Sequence, residues 1–453
     1  MLDLSEAPIK KSLITFAIPI IFSFVIQQLY LVVDTILVGK FLGVDELAAV
    51  GNAASIIGVF LIISGGLEMG CEVLIARFIG EKQYQTIFRS SLGILLFASV
   101  TAIILSSILI LLQKPFFYLI NIPTDLHGLT SDYLTFYSIG FIFIFLYDIS
   151  RAILIAMGDT KIPSLVVLFT SILNVFLTLF FILELQMGVK GVAIATILAQ
   201  LFGMLVTVMI LRKRLKALPF AKEKFIFPKS EVFKLLTISY PLMIQQGVIT
   251  GSMLILQALI NPFGSQIISG YIAANKLIML LMMITVGFCQ TLTVFASVNI
   301  GAKKPERIQE AYRFCMKFVS FYVLAIVALD FFLAKPMVSI FIDEKQYPAA
   351  IAFGVTFLKY SCVMMLFYGW KNINESLLRG YAKMKSFLIS NMSDLILRVA
   401  MAALLLPIFD LNSFWIANTI GTLIAFIVSM YFLKRLHILH VVNEKNNRFE
   451  EKI

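Results

Sequence analysis

Residues 13–38 read LITFAIPIIFSFVIQQLYLVVDTILV. At 1.5 Å per residue such a run crosses a hydrocarbon core of roughly 30 Å as a helix. One carboxylate, Asp34, stands inside it, six residues before the polar exit at Lys40. That places it about 9 Å along the helix from that end. An ionisable group at membrane depth costs roughly 2.5–3.5 kcal/mol on insertion scales, so its presence points to function.

The rest of the chain has the same character. It has 453 residues, 60% hydrophobic and 14% charged, with a mean hydropathy of +0.95. A soluble domain carries about 25% charge. Long apolar runs, as opposed to alternating ten-residue segments, indicate an all-α integral membrane protein. After the first run, others lie at about 47–77, 90–112, 133–157, 162–184 and 189–211. Six more lie at about 233–260, 268–299, 313–333, 353–378, 386–408 and 411–433, for about twelve transmembrane helices.

The formal charge is +11. Its Lys and Arg concentrate in short connections after the even-numbered runs, such as Lys82 and Arg89, Lys161, Lys303 with Lys304 and Arg307, and Lys383 with Lys385. By the positive-inside rule both termini are expected in the cytoplasm, with the base meeting anionic lipid and not nucleic acid. The first run carries no cleavage pattern and is expected to stay as a helix. No P-loop is present, and Cys71, Cys289, Cys315 and Cys362 form no CxxC. His437 and His440 lie three apart and are expected at a solvated helix end. No enzyme is expected: only Glu68 with Glu72 approaches a paired-carboxylate site, and no cofactor is implied.

The two halves resemble each other. At a shift of about 221 residues, KPFFYLI (114–120) falls on KPMVSIF (335–341) and IGEK (79–82) on IGAK (300–303). Pro19 falls on Pro241, and Lys161 on Lys385. Six helices per copy is an even number, so both copies keep one orientation. This predicts two pseudo-symmetric six-helix lobes around a central cavity, the arrangement of transporters that rock one half against the other. The expected divisions are an N-terminal lobe at 1–211, a cytoplasmic linker at 212–232, a C-terminal lobe at 233–436 and a tail at 437–453.

Inside a helical bundle each polar residue needs a partner or a water-filled cavity. Gln27 and Tyr30 precede Asp34 by seven and four residues on one helix face. Asn174 and Thr178 are four apart in the fifth run, and Thr196 is in the sixth. Carboxylate, amide and hydroxyl oxygens are hard ligands that suit Na⁺, whereas a lone carboxylate in an apolar cavity would carry a proton. Glu68, Gln245 and Lys276 are placed with Gln27 and Tyr30 as cavity residues. Asp148 with Arg151, and Glu375 with Arg379, are read as local ion pairs, structural or forming an inner gate. Asp394 and Arg398, also four apart, are read as neutralising each other.

Four stretches carry a resemblance: VDTILVGKFLGVDELAAVG (33–51), VLIARFIGEK (73–82), RAILIAMGDTKIP (151–163) and LLRGYAKMK (377–385). Together they resemble the multidrug and toxic compound extrusion (MATE) transporters, over nearly the whole chain. The resemblance implies a cation-coupled antiporter in the plasma membrane, driven by Na⁺ or H⁺. Its partners would be small cationic or amphipathic solutes and membrane lipid, and the protein a monomer. It also implies that Asp34 is the ion-coupling carboxylate, joined by Asn174 and Thr196; if the ion is Na⁺, these three would hold it. Thr178 stands where that family often has a second acid. A lipid-linked glycan flippase of the same superfamily is the alternative, for which Lys276, Lys371 and Arg398 speak.

Overall fold

A computed structural model describes residues 2–219, 226–343, 345–436 and 438. Part of the connector (220–225), His437 and residues 439–453, His440 among them, lie outside the described residues. All described elements are helical. They are α1 (Ile9–Phe41), α2 (Val44–Gly80), α3 (Tyr84–Leu119), α4 (His127–Ile139), α5 (Phe141–Ala156), α6 (Lys161–Leu179) and α7 (Gly188–Lys216). The series continues with α8 (Lys229–Ile260), α9 (Ser265–Gly301), α10 (Pro305–Ser339), α11 (Pro348–Gly380), α12 (Met384–Phe409) and α13 (Ser413–Arg435). The helices outrun the apolar stretches because hydrophobicity marks only the lipid-depth part of each. Thus Arg212–Lys216 of the basic connector still belongs to α7.

Ten described helical stretches are long and apolar enough to cross a membrane, and the α4–α5 pair, bent by 47°, makes an eleventh. One of the ten, Met384–Arg435, contains both α12 and α13, so the thirteen helices make twelve spans. The bend was not expected within run 133–157. It falls at Gly140, where a Cβ would press on Ile197 of α7. Large apolar side chains such as Leu111, Phe321 and Phe332 are exposed, as lipid-facing residues are.

The chain forms two compact units. One comprises Met1–Asp3 and Ile18–Met243; the other comprises Leu4–Ala17 and Ile244–Ile453. The boundaries therefore fall inside α1 and α8, near Pro19 and Pro241. In the first unit α5 packs on α2, α3 and α7; in the second α11 packs on α9, α10 and α13.

The repeat recurs in backbone geometry. Lys82 and Lys303 both have positive φ, 56° and 58°, and close the ends of α2 and α9. Lys82 N–H bonds to Ile79 O and Gln83 N–H to Phe78 O; Lys303 N–H bonds to Ile300 O and Lys304 N–H to Asn299 O. Gly158 and Ala382, at φ 88° and 53°, end α5 and α11 with the same pair of bonds. Such left-handed caps satisfy carbonyls that the helix end leaves free.

Candidate functional site

In the first unit the polar face of α6 meets that of α7. Helical spacing puts Thr170, Asn174 and Thr178 on one side of α6, and Thr196 and Gln200 on one side of α7. Asn174 Nδ2 donates to Thr196 Oγ1 at 3.1 Å. Thr178 Oγ1 donates to Asn174 Oδ1 at 3.5 Å, long enough that this amide oxygen keeps a lone pair open. Thr196 Oγ1 donates in turn to Val192 O at 3.1 Å. Asn174, Thr178 and Thr196 are all buried.

Beside them lies a cavity of about 60 Å³, lined among others by Gln27 and Tyr30 of α1, Tyr147 of α5, Asn174, Thr196 and Gln200. This is room for a small ion or a few waters. The lining stops at Tyr30, one turn short of Asp34. Asp34 Oδ1 is buried and accepts no hydrogen bond from a described residue. The phenols of Tyr30, Tyr133 and Tyr137 all lie within electrostatic reach of Asp34. Tyr30 links the orphaned carboxylate oxygen to the open amide oxygen and the two hydroxyls: it lines the cavity with Asn174 and Thr196 and lies within electrostatic reach of Asp34. These are the hard oxygen donors that a small cation takes, and the carboxylate is equally a proton acceptor.

Three further predicted residues form an ionic cluster in the same unit. Arg151 Nη2 meets Glu68 Oε1 at 2.6 Å and Asp148 Oδ1 at 3.7 Å. Ser64 Oγ donates to Asp148 Oδ2 at 2.8 Å, and the guanidinium lies over the Tyr147 ring at 5.7 Å. Glu68, expected in a cavity, is engaged here because α2 packs on α5 and brings it to Arg151. Arg77, at the end of α2, pairs with Glu81 at 3.2 Å.

In the second unit Lys371 Nζ donates to Asp394 Oδ2 at 2.7 Å, and Arg398 Nη2 to Asp394 Oδ1 at 2.8 Å. Glu375 is closest in charge to Lys371, at 3.8 Å, and accepts from Ser390 Oγ at 2.8 Å. The expected Glu375–Arg379 pair gives way to this: Arg379 Nη2 donates to Ser376 Oγ at 3.2 Å and stacks over Phe387. Both Lys371 and Arg379 are four residues from Glu375, so helical spacing alone does not choose between them. Asp394 on α12 draws Lys371 into the cluster, and with it Glu375. Gln245 Nε2 donates to Asn391 Oδ1 at 2.9 Å. Lys276 is exposed on α9 and lines a different pocket of about 580 Å³ with Ser265, Gln266 and Asp343.

Tyr147, Gln200, Tyr133, Tyr137 and Asn391 were not anticipated. Gln200 had a signal, since it stands four residues after Thr196 on the same face. The tyrosines had none, because an apolar run tolerates Tyr for many reasons.

The MatE family model matches residues 19–180 and 241–404, two stretches beginning at Pro19 and Pro241. A probable multidrug resistance protein of Bacillus subtilis, YpnP, is 26% identical over 89% of this chain and 89% of its own length. The FAD transporter of Shewanella oneidensis is 24% identical over 91% of this chain and 90% of its own. The fold is that of a solved MOP superfamily transporter from Pyrococcus furiosus, with a TM-score of 0.88 at 22% identity, covering 96% of this chain and 97% of that one. With most of its length matched as two copies of one model, the chain belongs to the MatE family of multi-pass membrane transporters.

Proposed function

We propose that the protein is a cation-coupled antiporter that exports organic cations, drugs and other amphipathic solutes across the plasma membrane, with both termini in the cytoplasm. The name of the Bacillus subtilis relative supports drugs as cargo and gives the flippase alternative no support. The observation that carries the coupling is Asp34: its Oδ1 is buried with no partner among the described residues, within electrostatic reach of Tyr30, which lines the cavity with Asn174 and Thr196. Na⁺ or H⁺ from outside neutralises this carboxylate. Neutralisation removes the cost of a buried charge, and the side chains around it repack. The carrier then alternates between inward- and outward-open forms, and exchange is coupled because ion and solute differ in affinity for the two.

The test is export of ethidium from proteoliposomes, with a Na⁺ gradient and a pH gradient imposed separately. One gradient is expected to drive export by the wild type, and Asp34→Asn to abolish that drive. Full gradient-driven export by Asp34→Asn would remove Asp34 from the coupling.

A further inference from the structure

The second unit presents a face that this mechanism does not use. Asn391, Asp394 and Arg398 occupy positions i, i+3 and i+7 along the middle of α12, one side of the helix. Both Asp394 oxygens are engaged: one accepts from Lys371 and the other from Arg398. The Asn391 amide oxygen is taken by Gln245. Two donors on this face are left without an acceptor. Asn391 Nδ2 and Arg398 Nε are both buried, and neither donates to any described residue.

Two open donors on one face require acceptor oxygens, because a buried unpaired donor costs about 1–3 kcal/mol. A guanidinium binds a carboxylate through two parallel N–H groups, and here Nη2 is filled while Nε is open. Arg398 is the most open member of the group: its side chain is 20% exposed, though its Nε is buried, while those of Lys371 and Asp394 are 4% and 1% exposed. The buried Lys371–Asp394 pair holds the guanidinium in position, and the charges of Lys371, Arg398, Asp394 and Glu375 balance, so recognition comes from directed donors and not from excess charge.

We propose that this face of α12 is a solute site for an oxyanion: the carboxylate of an amphipathic solute takes the open donors of Arg398 and Asn391. The proposal rests on the export reading and deepens it by placing a carboxylate-binding site on α12.

The test uses equilibrium binding, with no gradient, so that failure of coupling and failure of this site are distinguishable. Rhodamine B, which bears a carboxylate, and its ethyl ester, which does not, are titrated by fluorescence anisotropy against the purified full-length protein in detergent. Asn391→Asp still accepts from Gln245 but replaces the open donor with a carboxylate. It is expected to raise the ratio of the rhodamine B Kd to the ester Kd by about tenfold or more. Arg398→Lys keeps the charge but loses the fork, and is expected to move the ratio in the same direction. A ratio unmoved in both variants overturns the proposal. So does dependence on Asn391 seen only for added phosphatidylglycerol, which would make the face a lipid-headgroup site.

Discussion

Arg151 Nη2 reaches Glu68 Oε1 at 2.6 Å, across 83 residues of sequence, while Asp148, three residues away, stands at 3.7 Å. The long-range partner is the nearer one. Arg151 therefore neutralises two acids from two helices and ties α5 to α2. Removing it strands both carboxylates, whereas removing Glu68 leaves Arg151 with Asp148. Arg151→Ala is expected to destabilise the protein by about 3–5 kcal/mol, as breaking a buried pair from one side does. Glu68→Gln keeps an acceptor oxygen for the guanidinium and is expected to cost about 1–2 kcal/mol. Denaturant unfolding of the two variants in detergent checks the order, and a larger loss for Glu68→Gln would refute it.

The same pair marks how far the sequence could be read. Lipid-depth runs, the repeat and the polar faces of single helices were all legible, because each depends on spacing along one segment. Asn174 and Thr178 share a face of α6 as their i, i+4 spacing suggested, whereas the meeting of Asn174 with Thr196 of α7 was implied only by the family resemblance. Ion-pair choice was not legible in this way. Spacing offered Asp148 to Arg151 and Arg379 to Glu375, and in both cases a charge on another helix changed the outcome: Glu68 on α2, and Asp394 on α12 through Lys371. The bend at Gly140 was hidden for a similar reason, since the close approach of Ile197 belongs to packing and not to the local run.

In the α12 cluster the two acids differ in how many cations they hold. Asp394 meets Lys371 at 2.7 Å and Arg398 at 2.8 Å; Glu375 meets Lys371 at 3.8 Å and has Ser390 as a second partner. Asp394→Asn leaves two cations facing a neutral amide. It is expected to cost about 3–5 kcal/mol, and Glu375→Gln about 1–2 kcal/mol. Thermal unfolding midpoints of the two variants, measured side by side, test this; equal shifts would contradict it.

Close helix approach in the first unit depends on two glycines of α2. A Cβ at Gly66 would strike Met243, and one at Gly70 would strike the Ser239 hydroxyl and crowd Leu235, all on the first half of α8. Small residues four apart let helix backbones approach in membranes. Gly70→Val should overpack this contact and cost about 1–3 kcal/mol. Gly58→Val, at a position where a Cβ meets nothing within 4 Å, is the control and should cost far less. Similar losses at both positions, read from retention of the folded peak on gel filtration after heating, would mean that α8 is not what Gly70 accommodates.

Thr178 tests what limits ion binding near Asp34. It is fully buried, one turn after Asn174, and its hydroxyl points at the Asn174 amide oxygen from 3.5 Å. A carboxylate there would add a negative charge beside the oxygens of Asn174 and Thr196. At pH 7 a buried second acid requires a cation or a proton to neutralise it. Where the Na⁺ gradient is the one that drives export, Thr178→Asp is therefore expected to lower the Na⁺ concentration that half-saturates dye export by about tenfold, a gain of ~1.4 kcal/mol in ion binding. Thr178→Asn has similar size and no charge, so it separates charge from packing. If Thr178→Asp moves the Na⁺ dependence no more than Thr178→Asn does, the polar face of α6 is not part of the ion site, and Asp34 takes its ion without Asn174.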